Sequence, residues 1–166
     1  MGSSFAKKLS GFDCTVLAYD KYKKGYGSEL VKEVDMAELF EKSDVISLHV
    51  PLTAETNYLM DASFFKQCKK HVYIINTARG KCLNTKDLVE ALQTGHVAGA
   101  CLDVLEYESV SFESMSATEL PEPMQYLIAS EKVVLSPHIA GWTHESNYKM
   151  SRIMADKIID CLKPKS

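Results

Sequence analysis

Arg79 is a candidate ligand-binding residue because of the segment that precedes it. The apolar run 72–76 is typical of a buried strand, Arg79 follows shortly after it, and Gly80 is expected to let the backbone turn away sharply. Open α/β folds bind ligands at the carboxyl ends of their parallel strands. A guanidinium there can hold a carboxylate through two parallel hydrogen bonds. The position indicates an anion-binding arginine, although a surface arginine paired with a nearby acid would explain Arg79 taken alone.

His138 is the candidate proton-transfer residue. It follows the apolar run 133–135, and a second run, 97–102, leads into a segment that contains Glu106 and Glu108. If both runs are parallel strands, the imidazole and the carboxylates share one edge of the sheet. A histidine with a carboxylate neighbour can act as acid and base near neutral pH. The acid could be either glutamate, and a purely structural histidine is the alternative.

Gly2 and Asp20 have the spacing of a dinucleotide-binding unit. Gly2 lies eighteen residues before Asp20, which ends the predicted strand 15–19. In a G-x-G-x-x-G fingerprint, the last glycine precedes by about twenty residues an acid that accepts the ribose hydroxyls of NAD. The first strand and the first two glycines would then be missing. We therefore expect a truncated sequence, or one whose sheet is completed by another segment.

The remaining pattern predicts an α/β protein with a Rossmann-type, doubly wound parallel sheet that lacks its first, central strand. β-rich runs alternate with helical periodicity, and most of the runs are apolar enough to be buried on both faces. Asp35 with Glu38 predicts a helix start, and Asn84 and Gly95 predict a helix start and stop. The predicted strands are 15–19, 30–34, 45–50, 72–76, 97–102 and 133–135.

Two later segments have a different character. Residues 109–131 contain prolines and no regular period, so they predict a surface excursion, with a short helix from Pro121 to Ala129. Thr143 is expected to begin an amphipathic helix that ends near Leu162 and packs on a substrate domain absent from the chain.

Composition and charge exclude several classes of protein. A net charge of -3 offers no basic field for nucleic acid or an anionic membrane. The five cysteines are widely spaced and contain no C-x-x-C pair, which argues against disulfides and a metal site and for a cytoplasmic location. Lys21, Lys23 and Lys24 predict a solvated loop, with a phosphate contact as the minor alternative.

Several motifs occur together and in a fixed order. They are Ser47-Leu48-His49-Val50-Pro51-Leu52-Thr53, Asn76-Thr77-Ala78-Arg79-Gly80, Leu102-Asp103-Val104 followed by Glu106 and Glu108, and Ser136-Pro137-His138-Ile139-Ala140-Gly141. The set resembles the D-isomer-specific 2-hydroxyacid dehydrogenases, which include phosphoglycerate, formate and D-lactate dehydrogenases. The resemblance covers nearly the whole chain. Ser109 departs from it, because members often have proline after the glutamate.

The resemblance implies a role for each motif. Arg79 would hold the carboxylate and 2-oxo oxygen of the substrate, His138 would exchange a proton with that oxygen, and Glu108 would orient His138. Asp103 would bind the nicotinamide carboxamide. The residues implied to bind NAD are Gly2, Asp20, His49, Pro51, Thr53, Thr77, Ala78, Asp103, His138 and Gly141.

The function implied is NAD-dependent interconversion of a small D-2-hydroxy acid and a 2-oxo acid, by a homodimer. The alternative is an NAD(H)-responsive corepressor without turnover. Because the family places its substrate domain mostly before the fingerprint, we expect weak or no turnover from this chain alone.

Overall fold

The computed structural model describes residues 1–108 and 120–163. The helices of these ranges are α1 (Gly2–Lys8), α2 (Met36–Lys42), α3 (Ala62–Gln67), α4 (Thr85–Thr94), α5 (Glu122–Ala129) and α6 (His144–Leu162). The strands are β1 (Leu17–Ala18), β2 (Lys32–Glu33), β3 (Val45–Leu48), β4 (Val72–Asn76), β5 (Val97–Leu102) and β6 (Val133–Leu135). Short 3-10 helices span Leu9–Gly11 and Gly80–Cys82.

The strands form two parallel sheets. One contains β3, β4, β5 and β6 in chain order, and the other pairs β1 with β2. This confirms the predicted parallel α/β fold. Within the described ranges no hydrogen-bonded strand joins β1 to β3, and this division falls where the order 3-2-1-4-5-6 has its first strand.

Local side-chain contacts explain where the helices begin and end. The Asp35 carboxylate accepts the Glu38 amide at the start of α2, and the Asn84 side chain accepts the Asp87 amide at the start of α4. Gly95 ends α4 with a φ of 80°. These boundaries agree with the sequence. Helix α3, capped by Asp61, was not predicted, because six residues carry too little periodicity.

The core lies between one face of the four-stranded sheet and helices α3, α4 and α5. Ile74 of β4 and Leu88 and Leu92 of α4 have no exposed surface, and Phe65 of α3 has 2%. Burying such side chains contributes roughly 1.5–3 kcal/mol each. The carboxyl ends of β4, β5 and β6 are therefore held by a packed layer of helices.

Several side chains on the other face of this sheet are exposed in the described part of the chain, which corrects the expectation of strands buried on both sides. Tyr73, Val45 and Val134 are 54%, 54% and 64% exposed, and Cys101 is exposed as well. Strands β1 and β2 are also shorter than the predicted 15–19 and 30–34. Each pairs with only one neighbour among the described residues, so fewer of their backbone groups belong to a ladder.

The predicted surface excursion needs correction in its second part. Residues 109–119, including Ser109, lie outside the described residues. The predicted short helix is present as α5, but Met124 and Leu127 are buried beside α4. An apolar pair on one side of the helix made this packing possible.

Helix α6 matches its predicted bounds. The Thr143 hydroxyl caps it by accepting the Ser146 amide at 3.0 Å. No residue of α6 is buried, and Met150, Ile153 and Ile158 are each more than half exposed. Packing of this helix on another domain stays a prediction.

Candidate active site

The loop after β4 holds Arg79 through a buried asparagine. The Asn76 side chain, 1% exposed, donates to the Arg79 carbonyl at 3.1 Å and accepts the Ala78 amide at 3.0 Å. These two bonds close the turn that presents the exposed Arg79 at the carboxyl edge of the sheet. The role of Asn76 in the loop was not predicted, although a polar residue ending an apolar strand was the available signal.

Gly80 is required for close packing, which differs from the reason predicted. Its φ is not in the left-handed region. A Cβ placed on Gly80 would lie 1.9 Å from the Leu105 carbonyl oxygen and 2.6 Å from the Glu106 nitrogen. Only glycine permits this approach. The contact joins the Arg79 loop directly to the segment that carries Glu108.

Asp103 anchors the loop that carries His138. One carboxylate oxygen accepts the Ser136 hydroxyl at 2.6 Å and the Ile139 amide at 2.9 Å, and the other accepts the Ala140 amide at 2.9 Å. Burial alone would raise the pKa of Asp103, but these hydrogen bonds outweigh burial and lower it. Asp103 is therefore an ionised structural anchor, and its predicted contact with nicotinamide stays a prediction.

His138 and Glu108 are brought together as a pair. The His138 Nδ1 atom lies 3.0 Å from Glu108 Oε2, and Glu108 Oε1 accepts the Leu105 amide at 2.6 Å. His138 has a φ of 55°, and its amide donates to the Asp103 carbonyl at 2.8 Å. This left-handed conformation is uncommon in non-glycine residues, and such outliers cluster at functional sites. The geometry directs Nδ1 to the carboxylate and leaves Nε2 on the other side of the ring.

Glu106, the competing candidate, has different partners. Its Oε1 accepts the Tyr58 hydroxyl at 2.6 Å, and its Oε2 accepts the Thr85 amide at 3.0 Å at the start of α4. Tyr58 itself has a φ of 53°, and its amide donates to the Lys81 carbonyl. Of the two glutamates, Glu108 is thus the one paired with His138. Sequence analysis did not identify Tyr58, which lies 48 residues from Glu106 in the chain.

The loop after β3 contains the predicted residues His49, Pro51 and Thr53. The Thr56 hydroxyl donates to the Pro51 carbonyl at 2.6 Å, and the Thr53 amide donates to Thr56 Oγ1 at 2.8 Å. His49 Nε2 lies 3.0 Å from the Ser47 hydroxyl, and partial burial lowers the pKa of His49. Hydrogen bonds of Thr53 and Thr56 therefore stabilise the turn, and the neighbouring His49 is neutral at pH 7.

Gly2 and Asp20 lie on either side of the division between the sheets. A Cβ on Gly2 would lie 3.1 Å from His49 Cβ, so the first turn of α1 packs against the loop after β3. Asp20 follows β1, and its Oδ1 accepts the amides of Tyr22 and Lys23, each at 2.9 Å. These bonds lower the pKa of Asp20. The carboxylate is ionised and available at a strand end, as a ribose contact requires.

The other predicted cofactor residues lie at the same edge. Ala78 is buried in the Arg79 turn, whereas Thr77 is exposed beside it. Gly141 is exposed after the His138 loop, and its carbonyl accepts the Thr143 amide at 3.2 Å. Across the described ranges, no group of three or more His, Cys, Asp or Glu residues could hold a metal ion, and no helix is long and apolar enough to cross a membrane.

Fold and site together define a class of protein. The fold is a parallel α/β fold divided into two sheets. A short helix and an acidic residue at a strand end lie beside the division, and charged residues follow the carboxyl ends of the strands. This combination is typical of a dinucleotide-binding domain. The matching family model is described as "D-isomer specific 2-hydroxyacid dehydrogenase, NAD binding domain" and covers residues 1–140. The chain belongs to this family and carries its NAD-binding domain, which makes NAD its cofactor.

Individual relatives agree with this assignment. A glyoxylate reductase from Thermofilum pendens is 40% identical over 98% of this chain and 46% of its own length. A D-lactate dehydrogenase from Treponema pallidum is 34% identical over 86% of this chain and 44% of its own length. The NAD-complexed D-isomer specific 2-hydroxyacid dehydrogenase from Lactobacillus delbrueckii ssp. bulgaricus superposes with a TM-score of 0.88 at 32% identity, covering 99% of this chain and 51% of that one. The chain spans about half the length of these relatives.

Proposed function

We propose that the protein interconverts a D-2-hydroxy acid and a 2-oxo acid with NAD. The observation that carries this proposal is the 3.0 Å contact between His138 Nδ1 and Glu108 Oε2, on the sheet edge that also presents Arg79. The relatives named glyoxylate reductase and D-lactate dehydrogenase support a small 2-oxo acid as the substrate class.

His138 is proposed to move the proton. Nδ1 donates to the Glu108 carboxylate, and Nε2 would face the substrate oxygen. In the direction of reduction, Nε2 gives its proton to the carbonyl oxygen while a hydride adds to the carbonyl carbon. NADH, when bound, would supply that hydride. In the reverse direction, neutral His138 takes the hydroxyl proton.

Arg79 is proposed to orient the substrate. Its guanidinium can bind the carboxylate in two hydrogen bonds and can stabilise negative charge that develops on the 2-oxo oxygen. The Gly80 contact with the 105–106 peptide fixes the Arg79 loop against the segment of Glu108. Because Arg79 and His138 would be held on one rigid edge of the sheet, they would align the substrate for proton and hydride transfer.

The cofactor contacts in this proposal are those predicted from the sequence. Asp20 would accept the ribose hydroxyls, and the loop with His49, Pro51 and Thr53 would line the cofactor, together with Gly2, Thr77, Ala78, Asp103, His138 and Gly141. A homodimer and a cytoplasmic location belong to the same proposal, and they rest on the family resemblance and the cysteine pattern.

The test is His138→Asn in the full-length protein. Asparagine tolerates the left-handed backbone of this position, so the loop should keep its shape. We expect the rate of NADH-dependent reduction of glyoxylate or pyruvate to fall by about 10²–10⁴-fold, because general acid catalysis is lost. The affinity for NADH, measured by fluorescence titration, should change little.

His96→Asn is the matched control. His96 is an exposed histidine directly before β5, at the amino edge of the sheet, and its replacement should leave the rate unchanged. Wild-type turnover in His138→Asn would exclude His138 as the proton donor, whereas loss of NADH binding would favour a structural role for this histidine.

A further inference from the structure

Glu55 forms a contact across the division between the two sheets. It lies in the turn after β3, and its Oε2 atom is 2.9 Å from the Lys21 ammonium. The Tyr22 hydroxyl donates to the same oxygen. Lys21 and Tyr22 directly follow Asp20 at the end of β1. The ligand crevice of an open α/β fold lies at such a division, so the contact of Glu55 with Lys21 lies beside the crevice expected to take the adenosine end of the cofactor.

The Asp20 turn keeps these partners beside the ribose site. Asp20 Oδ1 accepts the amides of Tyr22 and Lys23, which leaves Oδ2 for the ribose hydroxyls. The Thr53 and Thr56 contacts hold the turn that carries Glu55 on the opposite side. Local hydrogen bonds therefore stabilise both the turn that carries Lys21 and the turn that carries Glu55.

The ion pair between Glu55 and Lys21 also affects which charged groups would surround a 2′-phosphate on the ribose. NADP differs from NAD by that phosphate, and a protein that accepts it needs a cation near the ribose. Lys21, Lys23 and Lys24 supply cations within four residues of Asp20. Lys21 is engaged by Glu55, and the Lys24 ammonium lies 5.7 Å from the centre of the Tyr19 ring. A 2′-phosphate beside Asp20 would thus meet a Lys21 already paired with Glu55, whereas the charges of Lys23 and Lys24 act on Asp20 from its own turn.

We infer that Glu55 is a specificity-determining residue for the cofactor: by holding Lys21, it withdraws from the ribose site a cation that would otherwise accept a 2′-phosphate. Asp20 and Glu55 then act together in favour of NAD. The hydrogen bond and ion pair raise the pKa of Lys21 and lower that of Glu55, which keeps both groups charged at neutral pH. The inference rests on the cofactor binding proposed above.

The experiment compares the dissociation constants of NADH and NADPH by fluorescence titration of the full-length protein, so it needs no turnover. Glu55→Gln removes one negative charge and releases Lys21. We expect the affinity for NADPH to rise about threefold to tenfold relative to NADH, from the Coulomb energy of a cation near a phosphate in water. The gain should shrink at high salt.

Two further variants make the result specific. Glu131→Gln makes the same change of charge at an exposed site just before β6, at the opposite edge, and should leave the ratio unchanged. Lys21→Met should have little effect in the wild type but should remove the gain in the Glu55→Gln background.

The outcomes separate the inference from the proposed function. If the wild type binds NADH and Glu55→Gln leaves the NADPH/NADH ratio unchanged, the inference is overturned. An equal gain with and without Lys21 overturns it too. If the wild type binds neither cofactor, the proposed function itself fails.

Discussion

Asp103 and Asp20 each follow a parallel strand at the carboxyl edge, and each has a lowered pKa, but their surroundings differ. Asp103 is 6% exposed and accepts hydrogen bonds from three residues that lie 33 to 37 positions away. Asp20 is partly exposed and accepts two amides from its own turn. The strand before Asp103 is flanked by β4 and β6, whereas β1 pairs only with β2 in the described part of the chain. Position in the sheet thus makes Asp103 a buried anchor and leaves Asp20 partly exposed.

The largest expected effect is on the anchored side. Gly80→Ala would place a methyl group against the Leu105 carbonyl, and this backbone cannot give way without moving the Glu108 segment. We expect the free energy of unfolding, measured by urea titration, to fall by at least about 3 kcal/mol. Gly11→Ala is the control, because among the described residues no atom beyond its chain neighbours lies within 4 Å of its added Cβ. Similar stabilities for the two variants would show that the loops are not tightly joined.

Asp103→Asn should have the next largest effect. It leaves amide and hydroxyl donors partly unsatisfied, and we expect a loss of about 2–3 kcal/mol at pH 7. Because the folded pKa of Asp103 is below the ordinary value of about 3.9, its ionised form stabilises the fold above that pH. The difference from wild type should shrink as the pH falls through the folded pKa. A difference that stays constant between pH 7 and pH 3 would contradict this role of the charge.

Asp20→Asn should have the smallest effect on stability. Its carboxylate bonds only to amides of its own turn, and asparagine can accept from those amides as well. We expect no measurable change in the urea midpoint, in spite of the lowered pKa. If Asp20→Asn lowered the free energy of unfolding as much as Asp103→Asn, the proposed difference between Asp103 as a structural anchor and Asp20 as a ligand contact would be wrong.

The sequence predicted well those features that depend on neighbouring residues. Helix α4, from its Asn84 cap to Gly95, and the strands β4, β5 and β6 occur where periodicity and capping indicated. The shared edge of Arg79, Glu108 and His138 followed from parallel topology alone. The family resemblance added which of the two glutamates pairs with His138, and the contact agrees with it.

Features that depend on distant residues were not predictable in this way. The bond between Tyr58 and Glu106, the bridge from Glu55 to Lys21 and the approach of Gly80 to Leu105 join segments from different parts of the chain. Cys101 belongs to the apolar run 97–102, which is typical of a buried strand, yet its side chain is exposed. A single strand does not reveal whether both of its faces are covered.

The left-handed backbone conformation of His138 limits which residue types can occupy this position. Only a few residue types adopt a φ near 55° without strain, chiefly glycine, asparagine and aspartate besides histidine, whereas β-branched residues do so at a penalty. Few single substitutions of His138 would therefore keep this backbone conformation. The backbone conformation that positions the His138 imidazole thus also restricts which residues can replace it.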